Sequence, residues 1–135
     1  MKTHHEMEIS KQEFEAVCKL EPFDRYQYCI KRIADSELMF SLVYLDDEFA
    51  LAEVDGEAFI SIWSANEFAK VNIVDEWSDC TVKEFSLDVF ETEIIKQVQD
   101  KGWLINVFGL NGKSGFVVTL SEFLRDLNAE LEKYM

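Results

Sequence analysis

The residues that could carry covalent chemistry are few. Cys18, Cys29 and Cys80 are the thiols of the chain, and His4 and His5 are its imidazoles. A Ser–His or Cys–His nucleophile needs a base inside the fold. Both histidines instead lie in the charged N-terminal stretch MKTHHEMEIS, which is expected to fray over residues 1–8. The thiols are odd in number, lack CxxC spacing and sit in apolar patterns, so they read as reduced, mostly buried and inert. They also lack the close, paired ligands of a zinc site. Carboxylates are plentiful, with Asp46, Asp47 and Glu48 adjacent and Asp75 beside Glu76. General acid–base work needs carboxylates in unlike environments converging on a cleft, whereas neighbours in a turn diverge into water. The DxDxDG spacing of a calcium loop is absent. The sequence therefore assigns no catalytic residue, no metal site and no cofactor.

Two further constellations bear on ligands. Arg25, Tyr28 and Arg32 recur at helical spacing in a segment of net positive charge. They can pair with the acidic part of the same chain, or hold a small anion in a binding or enzymatic domain. The stretch Gly109 to Gly115, GLNGKSG, invites comparison with a phosphate loop. A Walker A motif needs GxxxxGK[ST] opening a helix. Here Gly112, Lys113 and Ser114 agree and a strand follows, so Lys113 reads as a solvated hairpin tip.

The remaining feature joins aromatic rings to acid. The chain carries a formal net charge of −14. Residues 37–82 hold eleven acids against one base, Lys70. A face of that kind repels phosphate backbones, which argues against nucleic-acid partners. It either keeps the protein in solution or meets a basic protein. Phe59, Trp63 and Trp77 lie among these acids, and large aromatics rimmed by charge resemble interface hot spots. The leading expectation is a non-enzymatic protein-binding domain. Its candidate contact residues are Asp46, Asp47, Glu48, Phe59, Trp63 and Trp77. A toxin-neutralising immunity-type protein is one form of it, since many toxins are basic. The alternatives are the anion site at Arg25, Tyr28 and Arg32, and a homo-oligomer, such as a homodimer, that buries the aromatic face on itself. No apolar run approaches the ~20 residues of a membrane span, and the N-terminus lacks the apolar core of a signal peptide. The expected location is the cytoplasm.

The elements that must position these residues follow from pattern. Asp55-Gly56 between apolar runs predicts a two-residue hairpin turn, because both central positions need positive φ. It pairs Val54 with Glu57, Ala52 with Phe59, Ala50 with Ser61 and Glu48 with Trp63. Phe49, Leu51, Ile60 and Ile62 then share one face, and Ala50, Ala52, Phe59 and Trp63 the other. Three helix starts fit both a capping box and a hydrophobic staple: Ile9 to Phe14, Trp63 to Phe68 and Val118 to Phe123. Phe85 to Phe90 keeps the cap and staple without the Glu. The staple assigns Trp63 a packing partner in Phe68. Pro22 opens a second helix with core residues Tyr26, Cys29, Ile30 and Ile33. Leu38 to Leu45 reads as a central strand and, with the hairpin, as a three-stranded meander. Residues 74–79 form a loop. Strand, helix and strand over 80–108 read as a parallel βαβ unit, with Gly102 ending the helix. Phe116 to Val118 and a helix from Leu120 to Tyr134 complete the chain. The expected fold is α+β: a single domain, residues 1–135, with a mixed sheet of about five or six strands and helices packed on it.

The order of motifs also resembles a small uncharacterised bacterial family, domain-of-unknown-function family twenty-seven-fifty. The likeness covers roughly residues 20 to 130. It is carried by Phe23-x-Arg25-Tyr26-x-Tyr28, Lys31-Arg32-Ile33-Ala34-Asp35, Phe49-Ala50-Leu51-Ala52 and Ile60-x-Ile62-Trp63. It continues through Ala69, Phe85-Ser86-Leu87, Leu104-x-x-Val107-Phe108 and Gly115-x-Val117-Val118. The resemblance implies no activity and brings no catalytic residues. More distantly, the chain is similar to the N-terminal domain of the enhanced-serine-sensitivity protein type. That likeness implies an α+β fold and a binding role.

Overall fold

A computed structural model of the protein describes residues 9–110 and 115–134. The chain opens with two helices, α1 (Lys11–Cys18) and α2 (Pro22–Ser36). Ser10 Oγ caps α1 by accepting the Glu13 N–H at 3.0 Å. The Glu13 carboxylate does not return to Ser10, as a full capping box would have it, but accepts the Tyr28 hydroxyl on α2 at 2.5 Å. Pro22 stands at the first turn of α2, where its missing N–H costs nothing. Glu37, at φ 60°, ends that helix in the left-handed conformation.

Among the described residues, six strands follow in two sheets. β1 (Leu38–Val43) pairs antiparallel with β4 (Thr81–Ser86). The second sheet has the order β2 (Leu51–Val54), β3 (Glu57–Ile62), β5 (Leu104–Val107), β6 (Phe116–Val118). Its outer pairs are antiparallel, and β3 runs parallel to β5. The fold is a single α+β domain with a mixed sheet. β1 is buried along its whole length, as an apolar run on both faces demands.

Two expected pairings give way. The meander is broken, because β1 makes only single bridges to the hairpin, at Val43–Phe49 and Phe40–Trp63. Ala50 donates to the Leu42 carbonyl at 2.9 Å, and Trp63 and Phe40 exchange both backbone bonds. The pairs Ala50–Ser61 and Glu48–Trp63 are therefore replaced, while Val54–Glu57 and Ala52–Phe59 hold. The hairpin leaves the edge of β1 after Ala50 and returns to it at Trp63. Its turn has φ 53° at Asp55 and 82° at Gly56, as a type I′ turn requires. The βαβ unit is also regrouped. β4 is held by β1, so the parallel neighbour of β5 is β3 and not β4.

The helices show where local chemistry prevails. α3 (Asn66–Lys70) begins later than the capping pattern predicts. Its N-cap is Ala65, still extended at φ −156°, and Ser64 is buried behind it. The bridge of Trp63 to β1 keeps the backbone extended past the serine that would have capped it. Residues 75–77 form a 3-10 turn inside the expected loop. α4 is continuous in three segments: α over Leu87–Val89, π over Phe90–Ile94, α over Ile95–Lys101. Thr92 Oγ1 takes the Asp88 carbonyl at 2.9 Å. That side chain occupies the acceptor of the regular turn, a known cause of helix distortion. α5 (Leu120–Leu131) has the complete capping box, with Thr119 and Glu122 each accepting the other's backbone N–H. Gly102, at φ 69°, stops α4.

Candidate functional site

The Trp63 corner is an internal joint. Trp63 is 1% exposed, and its indole Nε1 donates to the Gly109 carbonyl at 2.7 Å. Phe68, the expected staple partner, meets the rings of Phe14, Tyr28 and Phe108 at 4.5 to 6.0 Å. Phe59 and Trp77 are half-buried. Of the aromatic half of the expected face, Trp63 therefore belongs to the core, Trp77 packs partly against it, and Phe59 stays partly open. Below it, Ser41 Oγ donates to the Ser61 carbonyl at 2.6 Å; the buried Ser64 hydroxyl faces the Cys29 thiol, and the buried Ser61 hydroxyl has no hydrogen-bond partner among the described residues.

The acidic half is outside. The pair Val43–Thr81 ends the β1–β4 ladder, so the turn at 44–48 and the loop at 75–80 lie at one end of the fold. Asp46, Asp47, Glu48, Asp75, Glu76 and Asp79 are all exposed. The hairpin tip, with Glu53, Asp55 and Glu57, projects separately. The apolar run predicts a strand through Leu45, yet β1 stops at Val43. The Asp47 N–H bonds back to the Tyr44 carbonyl at 2.9 Å and closes a tight turn. Leu45 sits at the crest of that turn, 86% exposed, with Tyr44 beside it at 39%. Asp46 Oδ1 accepts the Glu48 N–H at 3.0 Å, and Asp47 meets Lys83 at 3.3 Å across the surface. A sequence pattern that counts apolar residues assigns Leu45 to the strand. The Asp-Asp that follows was the signal that it belongs to the turn.

Arg25, Tyr28 and Arg32 do lie on one face of α2, but the fold takes up two of them. Arg25 is 4% exposed and donates to the carbonyls of Phe108, at 3.3 Å, and Leu20, at 2.5 Å. Burial and the hydrogen bond to Glu13 push the Tyr28 hydroxyl well above the usual tyrosine range. Arg32 is half-buried beside it. Lys113, the residue compared with a phosphate loop, lies outside the described residues, as do His4 and His5.

The opposite flank of α2 carries a cleft that the sequence pattern does not announce. It measures about 290 Å³ and lies between α2 and α5. Its floor is aromatic: Phe23 and Tyr26 line it, and behind them Phe116 completes a ring cluster with centroids 5.1 to 6.3 Å apart. Across it, the Tyr26 hydroxyl donates to Asp126 at 2.5 Å. Burial first, and then this bond, raise the tyrosine's pKa. The Arg125 guanidinium, at 3.0 Å, holds the Asp126 carboxyl below the usual carboxylate range. Gln27 and Lys31 form the α2 wall, Ala129 and Glu130 the α5 wall. Tyr26 belongs to the predicted core stripe of α2, but nothing in the stripe says that its hydroxyl reaches a carboxylate a hundred positions later.

The three thiols are free, with Cys29 and Cys80 buried and Cys18 half-buried. Burial pushes Cys29 up to about 12, with the Ser64 hydroxyl opposing it, and raises Cys18 and Cys80 as well. Among the described residues, no group of three or more His, Cys, Asp or Glu is placed to hold a metal ion. Among the same residues, no helix is long and apolar enough to cross a membrane. A family model described as a protein of unknown function (DUF2750) matches residues 26–127. No curated protein and no solved structure matches the chain.

Proposed function

The chain belongs to this family of unknown function, and from its own surface we propose that it is a non-enzymatic protein-binding domain. Its contact is the acidic end at residues 44–48 and 75–79. The observation that carries this reading is Leu45, 86% exposed at the crest of a turn and followed at once by three exposed carboxylates. A single apolar side chain surrounded by charge supplies both ingredients of an interface centre: area to bury and a rim that steers. The partner this chemistry fits is a basic protein with an apolar recess. An immunity-type role against a basic toxin is the form of the reading that the charge supports. Asp46, Asp47 and Glu48 keep their place in it, joined by Leu45 and Tyr44. Trp63 leaves it, since its ring and its N–H serve the core. The cytoplasm is the compartment in which three free thiols would stay reduced.

The test uses the intact chain. A partner recovered on the immobilised protein is purified, and its affinity is measured for the wild type, Leu45→Asp and the triple reversal Asp46→Lys, Asp47→Lys, Glu48→Lys. The expected result is a loss of about tenfold or more in each variant, and a steep fall in wild-type affinity as salt rises. Affinity that is unchanged in both variants would overturn the assignment.

A further inference from the structure

We infer that the cleft between α2 and α5 binds a small organic carboxylate with an aromatic or branched aliphatic body. Three observations on opposite sides of the cleft converge on that ligand class.

The first is the charge left over once the local pairs are formed. Arg125 is engaged by Asp126 at 3.0 Å, and Lys133 engages Glu130 at 2.9 Å. The Tyr26 hydroxyl is already donated to Asp126. Lys31 lines the same cleft, is exposed, and makes no ion pair among the described residues. With both cleft acids paired to cations on their own helix or its C-terminal turn, Lys31 is the lining cation left to meet a ligand carboxylate.

The second is the floor. Phe23 is 49% exposed although it stacks on Tyr26 and meets Phe116 edge-on. One face of an otherwise well-packed ring cluster is thus presented to the cleft. Ile30 and Ala129 continue the apolar surface. A flat or branched apolar body fits there, and a purely polar anion would gain nothing from it. The third is rigidity. The bond from Tyr26 to Asp126 ties α2 to α5 across the floor, so the walls are set before any ligand arrives. The volume, about 290 Å³, is that of a metabolite site and too small for a folded partner.

The experiment titrates the full chain with phenylacetate and 4-methylvalerate, and with the neutral amides of both, while following backbone amide shifts by NMR. The expected outcome is saturable millimolar binding of the carboxylates, with shifts centred on Gln27–Lys31 and residues 125–130, and binding of the amides weaker by about fivefold, as for a partly exposed ion pair. Lys31→Met should weaken the carboxylates by a similar factor and leave the amides unchanged. Ala129→Trp, on an exposed helix position, should fill the cleft and abolish binding of both. Absence of saturable binding, shifts centred elsewhere, equal affinity for acid and amide, or undiminished binding in either variant would each overturn the inference.

Discussion

The Arg25 guanidinium and the Phe108 backbone hold one another in place. Arg25 Nε donates to the Phe108 carbonyl at 3.3 Å, and Phe108 is fully buried with φ at 63°. A bulky side chain rarely adopts that conformation, which persists where neighbours over-determine it. Here the Phe108 N–H is bound to the Ile62 carbonyl at 2.9 Å, and Gly109 next door is bound to Trp63. Gly115 lies so close to this turn that a Cβ there would stand 2.1 Å from the Val107 carbonyl.

Arg25→Met therefore tests a structural joint. It leaves the buried Phe108 carbonyl and the part-buried Leu20 carbonyl without this donor. The expected cost is about 2–4 kcal/mol, read as a lower urea midpoint at unchanged slope. A midpoint equal to that of the wild type would mean that the carbonyls find other partners.

Trp63→Phe removes the indole N–H from Gly109 and leaves a small void. The expected loss is about 2–3 kcal/mol, again in a urea melt. The emission of the native protein should also shift to the red, because the most deeply buried indole is gone. An unchanged spectrum would contradict the placement of Trp63.

Much of this frame is legible in the chain. Asp55-Gly56 announces the turn, Thr119-x-x-Glu122 the capping box, and Gly102 the helix stop, because each rests on local backbone needs. Partners across the fold are not local. That Phe40 would take Trp63, leaving Ala50 to Leu42, depends on which edge of β1 is free, and β4 decides that forty residues later. The same holds for the sites. Asp46 to Glu48 are legible as exposed acid. Whether Arg25 faces solvent or two carbonyls depends on where the chain passes at Leu20 and Phe108. The cleft is written half in α2 and half in α5, and neither half is unusual by itself.

Tyr26 and Tyr28 should ionise late. Both have pKa values raised by burial and by a carboxylate that accepts their proton. A group whose proton is held more tightly in the folded state stabilises the fold fully below its unfolded pKa, about 10 for tyrosine, and loses that contribution as pH climbs beyond it. Stability should thus fall above about pH 10, and the double variant Tyr26→Phe, Tyr28→Phe should flatten the fall. Absorbance at ~295 nm, which follows phenolate directly, checks the same point. Full ionisation of all tyrosines near their ordinary pKa in the folded protein would refute it.

Cys29 should be silent to thiol reagents in the native state. It is fully buried with its pKa pushed up to about 12, so both access and thiolate are missing. Brief alkylation followed by peptide mass analysis should find Cys18 modified first, as the half-buried thiol. Cys29 should be labelled only in denaturant.

Ser61→Ala and Ser41→Ala should differ although the residues touch. Ser61 Oγ is buried without a partner among the described residues, so its removal should be neutral or stabilising by up to about 1 kcal/mol. Ser41 Oγ bonds the Ser61 carbonyl, and its loss should cost about 1–2 kcal/mol. Equal costs in the two thermal melts would be inconsistent with this assignment.

The hairpin that departs from β1 at Ala50 and rejoins it at Trp63 has a further consequence. β5 pairs with β3 from Phe59 to Ile62, while among the described residues Glu53 to Glu57 pair with no strand outside the hairpin. The molecule is closed without that outer loop, as a house is closed without its balcony. New sequence spliced in at Asp55-Gly56 would leave the frame untouched. An epitope, a tag or a split-reporter junction can be carried there, and length variation among relatives is expected to collect at the same point.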